Sequence, residues 1–140
     1  MIWNGGCLCG AVRYRVDADP VRVVICHCAT CRRVSGAPML CFVHFPVGAF
    51  TWVSGEPTRY RSSANAERGF CAHCGSTLTM HEPVIADRVQ VTLGSLDHPE
   101  LTTPDDHVWT KQQLPWLRIE DGLPRFPTIS SAVPSRAVEE

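Results

Sequence analysis

A single, mainly β domain is predicted by three observations: short apolar runs with strand-like alternation, turn residues between nearly all of them, and cysteines gathered in close pairs and triplets. The eleven prolines and ten glycines are scattered among the apolar runs of a 140-residue chain. No repeat, low-complexity tract or long linker divides it, so one core is expected. An apolar share of 44% against a charged share of 19% argues against a disordered chain. The formal charge of -1 offers no polycation to nucleic acid or anionic lipid, so neither is expected as a partner.

The alternation is clearest over residues 11–16, where Val12, Tyr14 and Val16 share one face and Arg13 and Arg15 the other. Residues 21–25 and 39–45 are more continuously apolar and also read as strands. Residues 50–53, 58–61, 76–80 and 89–93 complete the candidate strands, each bounded by Gly, Pro, Asn or Asp signals. The best helix is residues 29–34, stopped by Ser35-Gly36, with Arg32 and Arg33 in its last turn where cations suit the helix dipole. A weaker turn follows Leu96, with Asp97 as candidate cap for His98-Pro99-Glu100. Residues 107–118, with Trp109, Pro115 and Trp116, are too interrupted for a long helix and are expected to wrap the sheets. Residues 130–140 are small and polar enough to fray.

Eight cysteines, about 6% of the chain, point to metal sites or a disulfide framework. Residues 1–7 lack the basic start and apolar run of a secretory leader, and no segment approaches the roughly 20 apolar residues of a membrane span. A reducing, cytoplasmic setting is therefore expected, in which thiols stay thiols or meet metal. The groups are Cys7-Leu8-Cys9, Cys26-His27-Cys28-Ala29-Thr30-Cys31 and Cys71-Ala72-His73-Cys74, with Cys41 alone. This spacing is crowded for bridging and lacks the familiar iron–sulfur patterns, so zinc ranks above disulfides, a redox dithiol and iron–sulfur clusters.

Two zinc sites follow. Cys7, Cys9, Cys71 and Cys74 supply the four thiolates of a closed structural site, which clamps the N-terminal strand to the middle of the chain. Cys26, Cys28 and Cys31 leave a fourth position open, as catalytic zinc sites do. Seven thiolates and two zinc ions would take the formal charge from -1 to -4, which Arg13, Arg32, Arg33 or Arg68 could offset.

Three blocks carry a resemblance: Gly5-Gly6-Cys7-Leu8-Cys9-Gly10-Ala11-Val12-Arg13-Tyr14, then Cys26 to Arg32 with Ser35-Gly36-Ala37, then Arg68-Gly69-Phe70-Cys71-Ala72-His73-Cys74-Gly75-Ser76. Together with Pro115-Trp116 and Asp121-Gly122-Leu123-Pro124, they resemble the glutathione-dependent formaldehyde-activating enzyme family, which also includes centromere protein V. The likeness covers about residues 3–127, so residues 1–127 are expected to form the zinc domain and 128–140 a tail. It implies an Mss4-like fold of several coiled antiparallel sheets. It also implies a structural role for the zinc at Cys7, Cys9, Cys71 and Cys74 and a catalytic role for the zinc at Cys26, Cys28 and Cys31. The implied activity is that of a carbon–sulfur lyase run in reverse, joining glutathione to formaldehyde as S-hydroxymethylglutathione. The implied partners are a small-molecule thiol and an aldehyde. The alternative is a non-catalytic, zinc-stabilised protein-binding module. Association with nucleic acid, by analogy with centromere protein V, lacks the basic tract it would need.

The remaining residues have plainer readings. His27, between two ligands, is expected to turn its ring away from the metal and to pack or support a ligand. His73 reads as a loop residue and Cys41 as a small buried hydrophobe. Gly36 serves as a helix C-cap or as a point of close approach. Trp52, Trp109 and Trp116 are expected to pack rather than floor a pocket. Arg32, Arg33 and Lys111 are the candidate partners for a substrate carboxylate.

Overall fold

In the computed structural model, which describes residues 1–129, the alternating segments assemble into two sheets. The elements in chain order are β1 (Trp3–Gly6), β2 (Arg13–Val16), β3 (Arg22–Cys26), α1 (Ala29–Ser35), β4 (Leu40–Pro46), β5 (Phe50–Ser54), β6 (Thr58–Ser63), β7 (Ala66–Phe70), β8 (Thr77–His81), β9 (Arg88–Thr92) and β10 (Asp106–Val108), with short 3-10 turns between some of them. Strands β1-β2-β5 form a small antiparallel sheet, and β10-β3-β4-β9-β8-β7-β6 a seven-stranded one. The large sheet is antiparallel except where β10 runs parallel to β3. Among the described residues no helix is long and apolar enough to cross a membrane.

Seven strands and the helix fall where the sequence places them. Gly36, at φ 69°, caps α1 and returns its N–H to the Arg32 carbonyl, which is the C-cap reading. Three strands are new. β1 carries two glycines, which are poor strand formers. β7 has no apolar alternation, and Asp106 and His107 of β10 are polar yet fully buried. Residues 107–118 therefore do not simply wrap the sheets: residues 106–108 join the large sheet as its edge. Asp97 does not cap the turn after it; His98 precedes the 3-10 turn at Pro99–Leu101, and Asp97 instead pairs with the Arg13 guanidinium. Residues 130–140, expected to fray, lie outside the described residues.

The period of two along each strand gives the large sheet two different faces. One face carries Val23, Val43, Phe45, Val89 and Val91, which pack with Trp3, Tyr14, Val16 and Leu96 into the main core beside the small sheet. The opposite face carries Val24, Cys26, Phe42, Met80 and Val108, which cluster with Cys31 of α1. A third cluster joins Cys7, Val12, Cys71 and Leu78 where the two sheets meet.

β1 tolerates its glycines because one of them is needed. Gly5 lies opposite Tyr14, whose hydroxyl meets Ser95 Oγ at 2.7 Å. A Cβ on Gly5 would land on the Tyr14 ring and the Ser95 carbonyl. Gly5→Ala is thus expected to destabilise the fold by about 1–3 kcal/mol through overpacking, read as a lower urea midpoint. An unchanged midpoint would contradict this packing.

Candidate functional site

The hairpin-like turn after β1 and the turn between β7 and β8 bring four sulfurs together from opposite parts of the chain. Cys7 Sγ is 3.6 Å from Cys9 Sγ, and Cys9 Sγ is 3.8 Å from Cys71 Sγ. With Cys74, all four sulfurs lie within 4.8 Å of one another. Four thiolates about 2.3 Å from a central ion form a tetrahedron with edges of roughly 3.8 Å, so the group fits a tetrahedral metal. The Val12 N–H donates to Cys7 Sγ at 3.2 Å, which fixes the direction of that sulfur. Ser76, which the sequence reading did not assign, accepts from the Leu8 N–H at 3.0 Å and meets Cys74 Sγ at 3.2 Å. The Ser76 hydroxyl and backbone N–H, with the Cys9 backbone, hold the Cys74 thiol down at about 5. His73 stays exposed in its turn.

The second group forms where β3 runs into α1. Cys26 is the last residue of β3, Cys28 caps α1 by accepting the Cys31 N–H at 3.3 Å, and Cys31 points back from the first turn. Their sulfurs also lie within 4.8 Å of one another. The three share protons unequally. Hydrogen bonds from the Cys26 and Cys31 sulfurs, helped by the Cys31 N–H and the Arg68 charge, pull Cys28 down to about 2. Hydrogen bonding with Cys28 and Cys31, with burial, pushes Cys26 far up; for Cys31 the Cys26 sulfur pulls down, but Cys28 and burial outweigh it and lift the thiol to about 11. One stable thiolate beside two reluctant thiols is a site that a divalent cation completes by displacing protons. Arg68 of β7 is buried and directs both terminal nitrogens at Cys31 Sγ, at 3.7 and 3.8 Å, while its Nε donates to Ser62 Oγ. Of the four arginines considered for charge offset, Arg68 is therefore placed against a sulfur. Arg32 instead donates to the His27 and Gln112 carbonyls, tying α1 to the segment after β10.

The trio opens on a cavity of about 610 Å3. Its floor is the second face of the large sheet, on which adjacent strands line up Arg22, His44, Gln90, Met80 and Arg68 in one row. Val24, Phe42 and Val108 make the apolar wall, with Trp109 and Gln112 at the rim. Trp109 does line this cavity, and its backbone is left-handed, with φ 57°, a conformation uncommon for a non-glycine residue. Trp52 packs instead on Phe50 and Tyr14, and Trp116 is exposed. Cys41 lies on the other face of β4 from Phe42 and His44, against the main core and apart from both sulfur groups; its burial pushes the thiol up to about 12.

His27 is fully buried with its ring turned to His107 of β10: His27 Nε2 is 2.8 Å from His107 Nδ1, and the rings stack 5.1 Å apart. His107 Nε2 in turn meets the Asp121 carboxylate at 2.7 Å. A carboxylate only accepts, so His107 donates through Nε2, and its Nδ1 accepts from His27 in the neutral tautomers. Desolvation, with the neighbouring His107, holds His27 down at about 4. The pair braces the Cys26–Cys28 segment from behind. Nothing in the sequence marks this partnership across 80 positions.

A family model described as glutathione-dependent formaldehyde-activating enzyme matches residues 2–112. The chain belongs to this family. It is 36% identical over 78 residues to an uncharacterized lyase of Schizosaccharomyces pombe, spanning 54% of this chain and 55%, about half, of that relative. A Halomonas elongata protein, provisionally named a glutathione-dependent formaldehyde-activating enzyme, is 29% identical over 131 residues, which cover 86% of this chain and 82% of the relative. A crystal structure of a Rhodobacter sphaeroides protein superposes with a TM-score of 0.56 at 21% identity, covering 88% of this chain and 98% of that one; it shows the shared fold.

Two outcomes are expected of this member of the formaldehyde-activating family. Cys71→Ser should remove one metal equivalent and lower the unfolding midpoint by roughly 10 °C or more, because that site ties distant segments together. Cys28→Ser should remove one equivalent with a much smaller loss of stability. Elemental analysis and thermal melts check both. Acid sensitivity is the second. Burial, with Arg22 and Arg88 adding to it, holds His44 down at about 3, against an ordinary value of about 6.5. Between those values only the unfolded chain takes up this proton, so stability contributed by neutral His44 is complete above pH 6.5. It is lost as pH falls toward 3, by at most about 1.4 kcal/mol per pH unit. His44→Phe should flatten that part of the stability profile; an unchanged slope would assign the acid sensitivity elsewhere.

Proposed function

We propose that the chain is a zinc-dependent carbon–sulfur lyase, of the S-(hydroxymethyl)glutathione synthase kind, that makes and breaks a thiol–aldehyde adduct. The observation that carries this reading is a group of three cysteines, Cys26, Cys28 and Cys31, at the wall of a cavity of about 610 Å3. Among the described residues no fourth Cys, His, Asp or Glu joins them, which favours an open catalytic position over the closed site of a binding module. Family membership and the names of the relatives, a lyase and a glutathione-dependent formaldehyde-activating enzyme, support the same reaction class.

In the synthetic direction the thiol sulfur bonds to the aldehyde carbon, the carbonyl π electrons pass to oxygen, and the proton lost by sulfur ends on that oxygen; lysis reverses each change. Zinc held by the three sulfurs would supply a cation that lowers the pKa of an incoming thiol, giving a nucleophilic thiolate near neutral pH. The chain's own residues set the conditions. Arg68, donating to Cys31 Sγ, draws electron density from that ligand and offsets the negative charge of the sulfurs. Val24, Phe42, Met80 and Val108 present an apolar wall that lowers the local dielectric and strengthens the field at the reacting atoms. His27 and His107 hold Cys26 and Cys28 at fixed spacing. Cys7, Cys9, Cys71 and Cys74 take the structural zinc.

Adduct formation from glutathione and formaldehyde can be followed by NMR exchange. Metal-loaded protein is expected to exceed the uncatalysed rate at least tenfold, while apo protein and Cys28→Ser stay at background. Equal rates for all three would reject the reading.

A further inference from the structure

Gln112 lines the cavity together with Cys28 and Cys31, and the fold occupies all of its polar groups except one. Its Oε1 accepts the Ala29 N–H at 2.8 Å. A backbone N–H only donates, so the carboxamide is oriented with its oxygen on α1 and its NH2 away from it. The Gln112 carbonyl accepts from Arg32 at 2.6 Å, and its N–H donates to the Trp109 carbonyl at 3.0 Å. Nε2 is left without a hydrogen-bond partner among the described residues, and unlike the ring nitrogens of His44 it keeps accessible surface.

We propose that Gln112 Nε2 donates a hydrogen bond to the oxygen of the thiol–aldehyde adduct, the atom that gains charge as the carbon–sulfur bond forms. This rests on the lyase reading above and adds a catalytic residue to it. The thiol sulfur bonds to the aldehyde carbon, the carbonyl π pair moves onto oxygen, and the proton given up by sulfur ends on that oxygen. Gln112 donates a hydrogen bond throughout and gives up no proton. A neutral amide suits the task because it assists the oxygen in both directions of the reaction without changing its own charge.

Placement, rigidity and backbone strain support this role. Ala29 directly follows Cys28, so a carboxamide oxygen 2.8 Å from the Ala29 nitrogen puts the attached Nε2 beside the sulfur group. The reacting oxygen is only two bonds from the thiol sulfur, which confines it to the same neighbourhood. The contacts to Ala29, Arg32 and Trp109 hold the amide before substrate arrives, and a donor fixed in advance stabilises developing charge without the cost of reorganising. The strain lies one turn earlier. Gln112 ends the 3-10 turn Thr110–Gln112, which the chain enters through Trp109 at φ 57°. A non-glycine residue is held in that conformation only where its surroundings over-determine it, and such residues gather at functional sites. Here the Trp109 and Thr110 N–H groups donate to the Thr128 and Phe126 carbonyls at 2.9 and 3.1 Å. Lys111, a sequence-based candidate for a substrate carboxylate, instead lies 5.2 Å over the Trp109 ring. Arg68, the cation nearest the trio, is turned to Cys31 Sγ and Ser62 Oγ, so it supports a sulfur while Gln112 is free to meet the oxygen.

Calorimetry with two inert thioethers tests the donor without turnover. S-(methoxymethyl)glutathione carries an oxygen where the adduct does but no hydroxyl proton to lose, and S-propylglutathione replaces that oxygen by CH2. Wild-type protein is expected to bind the methoxymethyl compound at least about tenfold more tightly. Gln112→Glu keeps an oxygen for the Ala29 N–H but loses the Nε2 donor. It should lose the preference and slow adduct formation at least about tenfold, with metal content and melting temperature unchanged. Gln112→Met loses both groups, so it should lose the preference and also melt lower. Equal binding of the two thioethers by wild type, no binding of either, or an undiminished preference in either variant would overturn the proposal. Adduct formation at the wild-type rate by Gln112→Glu would overturn it too and leave the lyase reading standing. A preference for the methoxymethyl compound in wild-type protein that forms no adduct would overturn the lyase reading and leave the donor standing.

Discussion

Crowded sulfur is the constraint on which this structure turns. Thiols packed within 4.8 Å of one another cannot all ionise unless a cation sits among them, because each new thiolate raises the cost of the next. In the Cys26, Cys28 and Cys31 group the mutual hydrogen bonds and burial favour the thiolate at Cys28 and disfavour it at Cys26 and Cys31. The fold invests two turns, a strand end and a helix cap in creating that crowding. A metal ion bound among the sulfurs would convert it from a penalty into a source of folding energy.

The large sheet separates these tasks by side-chain alternation alone. Residues 23, 43, 45, 89 and 91 face the main core, and their immediate neighbours 22, 24, 42, 44 and 90 face the cavity. A one-residue slip of β4 would exchange the core for the site, so the register that packs Val43 and Phe45 is the same register that presents Phe42 and His44. Core packing and the lining of the cavity are thus fixed by one set of backbone hydrogen bonds. The polar row across the floor is tolerable because most of its members are paired: Arg68 to Cys31 and Ser62, Gln90 to Glu82, and Arg22 in part to Asp106. His44 is the exception.

Much of this was legible in the sequence where the physics is local. The C-x-C, C-x-C-x-x-C and C-x-x-C spacings indicated which sulfurs would meet, and alternation or apolar runs located β2, β3, β4 and β9. The family's glycines and cysteines in the three blocks are specific enough to indicate the fold. What could not be read depends on partners distant in sequence. β1 carries two glycines and no strand signal, and it pairs as it does because the Tyr14 ring needs the space above Gly5. β7 and β10 bury Arg68, Asp106 and His107, and a buried polar residue leaves no hydrophobic signal. The His27–His107–Asp121 chain joins residues 80 and 14 positions apart, so no local pattern announces it.

The proposed division of seven sulfurs, four around one zinc and three around another with a vacancy for substrate, is tested most directly by X-ray absorption at the zinc edge of the purified, metal-loaded protein. The account expects an average of about 3.5 sulfurs per zinc at about 2.3 Å, with one oxygen or nitrogen shared over the two ions. An added thiol should raise that average toward four. Four sulfurs per zinc in the substrate-free protein, or sulfurs bound to one another and to no metal, would contradict it.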